Sequence, residues 1–271
     1  MLQYLWLLPL GFLVGTFGTL IGAGGGFILM PVLLLAYPQA ATETLTSISL
    51  AVIFFNAFSG SWAYAKMKRI DYRSGLVFAT ASIPGAILGA LTTDYVPRRI
   101  FNAAFGILMI MAAVYLMFHK EKEHVTIHKR EKGLTTRHVL ETDGAIHTFS
   151  YNPRIGIVLS LFVGYLSSLL GIGGGIVHVP ALVGLLHFPV HIATATSHFM
   201  LTIMALTGTL VHIVTGSFSH GGVRRTIMLG IGVLIGAQVG ACLARYVHGV
   251  WIIRVLAIAL ASVGIRILLM A

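Results

Sequence analysis

Ten apolar stretches follow one another along the chain, five before and five after one long polar stretch at 119–153. Apolar runs of this kind are typical of membrane-spanning helices. The pattern predicts an all-α polytopic membrane protein. The stretches cover 4–20, 26–37, 45–65, 75–95 and 100–118 in the first half, and 155–170, 175–187, 195–216, 226–246 and 250–270 in the second.

Two of the ten stretches are too short to cross a bilayer. The stretches 26–37 and 175–187 contain 12 and 13 residues, whereas a hydrocarbon core of about 30 Å requires about 20 helical residues. We expect each to be a half-helix that begins inside the membrane at a glycine-rich turn. The apolar stretch before it is then the other arm of a hairpin, or the first part of a broken helix.

The second half of the chain repeats the glycine and proline pattern of the first. Residues 22–31 read GAGGGFILMP, and residues 171–180 read GIGGGIVHVP. This offset near 149 indicates an internal duplication, with a first transmembrane repeat at 1–118, a polar loop at 119–153 and a second repeat at 154–271. Small shifts also align Thr46-Ser47 with Thr196-Ser197, and Gly85-x-x-x-Gly89 with Gly232-x-x-x-Gly236.

Composition and charge support the membrane interpretation. The 271 residues are 57% hydrophobic and 10% charged, with 18 Lys and Arg against 8 Asp and Glu. Because the basic residues lie almost wholly between the apolar runs, they indicate topology and not a nucleic-acid partner. An inverted arrangement places 13 basic residues on one side and 5 on the other, with both termini outside. A parallel arrangement gives 14 to 4 with both termini inside. Both place 119–153 in the cytoplasm, and we favour inversion.

The clustered glycines suggest an anion-binding site. Glycine adopts positive φ without strain and leaves its N–H uncovered, so a glycine run at the start of a half-helix can direct several N–H groups at one anion. The alternative role of small residues is close helix packing. We assign that role to the two Gly-x-x-x-Gly pairs, and the anion-binding role to Gly24, Gly25, Gly26, Gly173, Gly174 and Gly175.

Hydroxyl groups at the start of the next helix in each half are candidate side-chain ligands. Thr46, Ser47, Thr196 and Ser197 can donate to an oxyanion without fixing it by full charge. They can equally cap their helices or bond to backbone within their own turn. His198 is a candidate for binding substrate or carrying a proton. Glu43, near a membrane edge, is a second candidate coupling residue.

The polar stretch and the lone cysteine give little evidence of a functional site. Asp143-Gly144 between alternating residues predicts a β-hairpin. His124 and His128 have the spacing of two ligands on one helix face, but no carboxylate or cysteine set completes a metal site, so we expect a solvated loop without metal or cofactor. Cys242 cannot form a disulfide within the chain, and we expect it to be a small core residue.

The duplicated Gly-x-Gly-Gly-Gly-x4-Pro turns, the Thr-Ser pairs and RIDYRSG at 69–75 resemble the TauE/SafE family of sulfite and sulfonate exporters. The resemblance implies a carrier in the cytoplasmic (inner) membrane of a bacterium or archaeon. It also implies small sulfur-containing anions such as sulfite, thiosulfate or organosulfonates as substrates. The chain departs from the pattern in its second half, where His220 stands in the place of Asp71.

A secondary transporter that exports these anions by alternating access is therefore the favoured hypothesis, with the anion and the lipid bilayer as its partners. An anion channel, or an importer of another small oxyanion, is the alternative. An enzyme is disfavoured, because the sequence has no HExxH motif, no GxSxG motif and no carboxylate pair. A further alternative is a structural or assembly factor for another membrane complex. Such a protein would tolerate alanine in both glycine turns. The oligomeric state stays open, with a homodimer as one candidate.

Overall fold

The computed structural model describes residues 4–118, 134–142, 144–218, 221–244 and 249–269. In these ranges a β-hairpin separates five helices from five more. The first five are α1 (Leu7–Ile21), α2 (Gly26–Ala36), α3 (Thr42–Lys66), α4 (Tyr72–Thr92) and α5 (Arg98–Phe118), with a 3-10 helix at Thr93–Tyr95. The hairpin is β1 (Thr135–Leu140) and β2 (Ile146–Tyr151), and the last five helices are α6 (Pro153–Leu170), α7 (Gly175–Gly184), α8 (Val190–Val214), α9 (Gly222–Leu243) and α10 (Gly249–Leu268).

The lengths of the helices confirm a polytopic all-α membrane protein. Six helices of the described residues, α3, α4, α5, α6, α8 and α9, are long and apolar enough to cross a membrane. Helix α1 is shorter, with 15 residues, and α2 and α7 have 11 and 10. The two stretches that the sequence marks as too short to span therefore do form short helices.

The chain folds back on itself at the first glycine turn. Helix α1 ends at Gly22, which has the left-handed conformation. Three residues later, Gly25 already lies against α1, because a Cβ built on Gly25 would be 2.6 Å from Val14 Cγ1 and 2.7 Å from the Val14 carbonyl oxygen. Gly25 thus packs back against the helix that precedes it.

The fourth helix of each half packs against the first helix of the other half. A Cβ on Gly85 or Gly89 of α4 would collide with the backbone of α6, and a Cβ on Gly236 or Gly240 of α9 would collide with the backbone of α1. These glycines thus let two backbones touch, which confirms the packing role expected of the Gly-x-x-x-Gly pairs. The residue numbers of the two contacting helices increase in the same direction along each pair. Helix α4 therefore runs parallel to α6, and α9 runs parallel to α1.

The same contacts correct the alignment of the two halves in this region. Gly85 packs on Leu161, and Gly236 packs on Phe12, the residue 149 positions before Leu161. Gly85 therefore corresponds to Gly236 and not to Gly232. The two-glycine motif of α4 can be aligned with α9 in two ways, one helical turn apart, because α9 has a row of three glycines, Gly232, Gly236 and Gly240. The sequence alignment used Gly232 and Gly236, whereas the contacts match Gly236 and Gly240.

The long helices α3 and α8 lie side by side in the centre of the molecule. Gly60 of α3 lies against His198 of α8, whereas Leu50, earlier in α3, lies against Gly208, later in α8. The two helices are therefore antiparallel. Helix α3 also packs along α9, where the Ser59 hydroxyl donates to the Leu234 carbonyl at 2.9 Å. Helices α5 and α10 pack against each other through Gly106 and Gly264.

The β-hairpin packs on one end of the helical bundle. Phe149 and Tyr151 contact Phe188, with ring centroids 4.3 and 5.2 Å apart. Arg137 donates to the Asp71 carboxylate at 2.8 Å. Its hydrogen bond to Asp71 raises the pKa of Arg137 further, and burial raises the pKa of the Tyr151 phenol. The hairpin prediction is confirmed, although Asp143 lies outside the described residues.

Two sequence expectations remain, one for Cys242 and one for the histidines of the polar stretch. Cys242 is exposed on the outer face of α9, so its expected place in the core was wrong. Apolar sequence alone does not distinguish a lipid-facing position from a core one. His124, His128 and His220 lie outside the described residues. Of the described histidines in the polar stretch, His147 pairs with Glu141 at 2.9 Å and His138 contacts Thr148.

Candidate functional site

The two glycine turns lie in direct contact with each other. Gly24 and Gly25 have φ of +74° and +77°, and Gly173 and Gly174 have φ of +81° and +60°. A Cβ on Gly26 would be 2.6 Å from the Ile172 carbonyl oxygen of the second turn. All residues from 22 to 27 and from 171 to 176 are buried. Only glycine permits both the backbone conformation and this close approach.

The turns meet halfway along the two central helices. Ile53 of α3 contacts Gly24, Gly26 and Gly173, and Leu201 of α8 contacts Gly24 and Gly175. Ile53 and Leu201 are each the twelfth residue of a 25-residue helix. The convergence of the two glycine turns, expected from the sequence, is thus what the fold produces.

Several backbone N–H groups of the turns have no acceptor in the described chain. In the first turn these belong to Gly25, Gly26 and Phe27, and in the second to Gly173, Gly174 and Ile176. A buried N–H without a partner is costly, and such groups normally bond to protein, water or a ligand. The positive end of the short helix adds to the attraction for negative charge. This is the chemistry of an anion site built from neutral donors.

Hydroxyl groups of α3 and α8 hold the turns in place. Ser49 donates to the Gly171 carbonyl at 2.5 Å, and Ser197 donates to the Gly22 carbonyl at 3.2 Å. Thr46 packs on Gly171 as Thr194 packs on Gly22. The spacing in both cases is 148, so Thr46 corresponds to Thr194 and not to Thr196. The connection before α8 is one residue shorter, which moves the pairing away from the one read from the Thr-Ser motif.

The predicted hydroxyl ligands divide into one unpartnered residue and three with structural bonds. Thr46 is fully buried, and its Oγ1 has no hydrogen-bond partner. Ser47 donates to the Thr44 carbonyl of its own helix at 2.8 Å. Thr196 Oγ1 accepts from the Asp71 N–H at 3.1 Å, and Ser197 holds the first turn. The alternative of a backbone bond within the residue's own turn therefore describes Ser47, whereas Thr196 and Ser197 bond to the backbone of other elements.

A buried polar network lies beside the first turn. Thr19 donates to Asn56 Oδ1 at 2.9 Å, and its hydroxyl lies 3.2 Å from His198 Nε2. The Tyr64 hydroxyl donates to the Thr19 carbonyl at 2.8 Å. His198 thus reaches from α8 to the end of α1, next to the site, and bonds to Thr19.

The other ionisable candidates lie apart from this network. Glu43 is in the first turn of α3, beside Ser217 and Asp94. His178 is buried in α7, and neither ring nitrogen has a partner in the described chain. Leu29 takes the corresponding place in α2. The described residues contain no group of three His, Cys, Asp or Glu that could hold a metal ion.

Sequence reasoning did not select Ser49, Thr19, Gly18 or Asn56 for the site. Ser49 has the signal of a 148-residue spacing to Ser197, which the Thr-Ser motif obscured. Asn56 is a lone amide within an apolar run, and polar residues at such positions are functional candidates. Gly18 and Thr19 precede the glycine cluster, and nothing in the sequence distinguishes them from packing residues.

Comparisons with known proteins find a family of membrane transporter proteins. A family model described as "Sulfite exporter TauE/SafE" matches residues 7–267. "Probable membrane transporter protein YunE" of Bacillus subtilis is 34% identical, and the alignment covers 98% of each chain. "Probable membrane transporter protein MJ0441" of Methanocaldococcus jannaschii is 27% identical over 78% of this chain and 74% of its own. No solved structure matches.

Proposed function

This chain belongs to the TauE/SafE family of membrane transporter proteins, and we propose that it is a secondary transporter that exports small sulfur-containing anions. Sulfite, thiosulfate and short organosulfonates are the proposed substrates. The anion binds between the two glycine turns, and the protein exposes it to either side of the membrane in turn. We place the chain in the cytoplasmic membrane of a bacterium or archaeon.

One observation carries the proposal: the two glycine turns touch each other halfway along α3 and α8 and retain unpartnered, buried N–H groups. Backbone donors bind an oxyanion without a fixed positive charge. The anion is therefore held less tightly than by Arg or Lys, which suits release as well as binding. Thr46, whose hydroxyl has no partner, is the proposed side-chain ligand among the four hydroxyl candidates.

An inverted arrangement of the two repeats supports alternating access. Helix α3 is antiparallel to its counterpart α8, as repeats of opposite orientation require. Tyr4 lies near Gly221 at the start of α9, and the hairpin lies at the opposite end, by Asp71. With the basic hairpin end in the cytoplasm, the first residues then lie outside. An inside-negative potential favours anion exit by about 2.3 kcal/mol per charge per 100 mV.

Counterflow of radiolabelled thiosulfate and sulfite in proteoliposomes tests this function. We expect saturable transport by the wild type and a roughly tenfold or greater loss in Gly25→Ala. Alanine costs about 1–2 kcal/mol in the left-handed conformation, about tenfold in an equilibrium, and its Cβ also meets the Val14 backbone. Gly174→Ala should lose less, because the nearest atom is the flexible end of Met204, 2.7 Å away.

Gly216→Ala is the matched control for these variants. Gly216 also has positive φ, +76°, but nothing lies within 4 Å of its Cβ position. It therefore carries the cost of the left-handed conformation without any change at the turns. Unchanged transport in Gly25→Ala and Gly174→Ala, at equal folded protein, would reduce the turns to packing elements. Flux that does not saturate would favour a channel.

A further inference from the structure

Two unpartnered hydrogen-bond donors lie together beside Gly18 of α1. A Cβ on Gly18 would be 2.8 Å from Asn56 Nδ2 and would collide with the Gly25 nitrogen. Asn56 is fully buried, and its Nδ2 has no hydrogen-bond partner. The Gly25 N–H also lacks an acceptor in the described chain. The absence of a side chain at Gly18 thus lets the first glycine turn and the Asn56 amide approach α1 closely, which brings the two donors near each other.

The orientation of the Asn56 amide is fixed from its other side. Asn56 Oδ1 accepts from the Thr19 hydroxyl at 2.9 Å, and the Thr19 oxygen lies 3.2 Å from His198 Nε2. With Oδ1 engaged by Thr19, the Nδ2 group is the part of the amide that borders Gly18. Asn56 is therefore held with its donor towards the first glycine turn.

The second half of the chain lacks the amide donor. The residue 149 positions after Gly18 is Ser167, and the residue 148 positions after Asn56 is Met204, by the spacings that relate the turns and the central helices. The Met204 methyl and the Ser167 Cβ both lie against Gly174, within 2.7 and 3.2 Å of its Cβ position. Beside the second turn an apolar group thus stands where the amide would be, and the donors there without a partner in the described chain are the Gly174 N–H and the Ser167 hydroxyl.

We propose that Asn56 is a specificity-determining residue, which binds an oxygen of the anion together with the Gly25 N–H of the first glycine turn. This inference rests on the proposed function and gives the site a direction. The oxygen-rich end of the substrate faces the first turn, and the Met204 side faces its less polar end. Asn56 supplies neutral donors, and a carboxylate in its place repels the anion.

Thiosulfate binding to the purified protein, measured by calorimetry, tests this role alongside counterflow. Asn56→Met introduces the residue that the second half carries at the corresponding position, so the fold has a precedent for it. We expect thiosulfate affinity to fall about 10- to 100-fold, the usual effect of one lost hydrogen bond to a charged group. Asn56→Asp should lose binding more completely, and Gly18→Ser should weaken it, because its Cβ would displace the Gly25 nitrogen and the Asn56 amide.

Thr207→Val is the matched control, since the Thr207 hydroxyl bonds to the Ile203 carbonyl of its own helix α8, and thiosulfate affinity should stay within about threefold of the wild type. Thermal unfolding of each variant without ligand identifies any that fail to fold. Thiosulfate affinity in folded Asn56→Met equal to that of the wild type would overturn the role of Asn56 and leave the transport function standing. A wild type that neither binds nor transports thiosulfate or sulfite would overturn both.

Discussion

Single residues decide which polar groups are free to bind a ligand. Thr19, Ser197 and Ser49 are all hydroxyl residues within apolar runs. The Thr19 hydroxyl bonds to the Asn56 amide, and the two serine hydroxyls bond to carbonyl groups of the glycine turns. Thr46 and Asn56 each retain a buried atom without a partner. A buried polar atom is expensive to leave unsatisfied, so a ligand or water that binds at either residue gains a hydrogen bond that the described chain does not provide.

Thr19→Val tests the network at this scale. Valine keeps the shape of threonine but removes the hydroxyl that bonds to Asn56 and His198, so both partners lose a buried hydrogen bond. We expect the free energy of unfolding to fall by about 1–3 kcal/mol and the KM for thiosulfate to rise. Thermal unfolding in detergent and counterflow measure the two effects.

Thr16→Val provides the matched control in the same helix. The Thr16 hydroxyl bonds only to the Phe12 carbonyl of its own helix, at 2.8 Å. Its loss should leave KM unchanged. An equal rise of KM in both variants would show that helix α1, and not the orientation of Asn56, determines the effect.

Helices form the next scale, and here glycine serves two different purposes. In the turns it permits positive φ and uncovers N–H groups, whereas in α4 and α9 it lets two helix backbones touch. Both uses involve similar sequence, and only the distance to the neighbouring backbone distinguishes them.

Gly89→Val should destabilise the protein strongly without touching the glycine turns. Its Cβ would collide with the Tyr165 carbonyl of α6, and backbone cannot move aside as a flexible side chain can. We expect a loss of about 2–4 kcal/mol, in the range of overpacked core positions, visible as a lower unfolding temperature in detergent. Gly230→Ala, which would meet only the Phe55 ring at 3.3 Å, should be tolerated. Similar stability in both variants would contradict close backbone contact between α4 and α6.

The pattern of apolar runs was sufficient to predict the helices and the two short elements, and Asp143-Gly144 between alternating residues predicted the β-hairpin. The period of glycine and proline likewise predicted which two turns meet. The pairing of individual residues was not predictable, because insertions of one residue and repeated small residues allow several alignments of nearly equal quality. The closeness of Asn56 to Gly18 could be recognised only from the structure, since it depends on the chain folding back at Gly25.

The whole molecule has two ends that differ in charge and in structure. Lys66, Arg69 and the hairpin lie at one end, where Arg69 donates to Glu141 at 2.7 Å. Tyr95, between α4 and α5, lies at the other end and is 83% exposed. Since charge sets orientation in the membrane, this difference makes the proposed sidedness measurable.

Single cysteines in a Cys242→Ala background test the orientation. A membrane-impermeant maleimide applied to intact cells should label Leu5→Cys and Tyr95→Cys but not Gly144→Cys, which should react only after permeabilisation. Leu5 is 52% exposed, and nothing lies within 4 Å of the Gly144 Cβ position. Labelling of Gly144→Cys from outside would contradict a cytoplasmic hairpin. Protection of Leu5→Cys would favour parallel repeats.

The exchange of fourth helices has a consequence for the ancestry of the chain. Helix α4 finds its backbone-to-backbone partner in α6, and α9 finds its partner in α1. Neither half satisfies its own small-residue faces. A half-length ancestor with this packing would therefore have needed a second copy of itself to cover those faces.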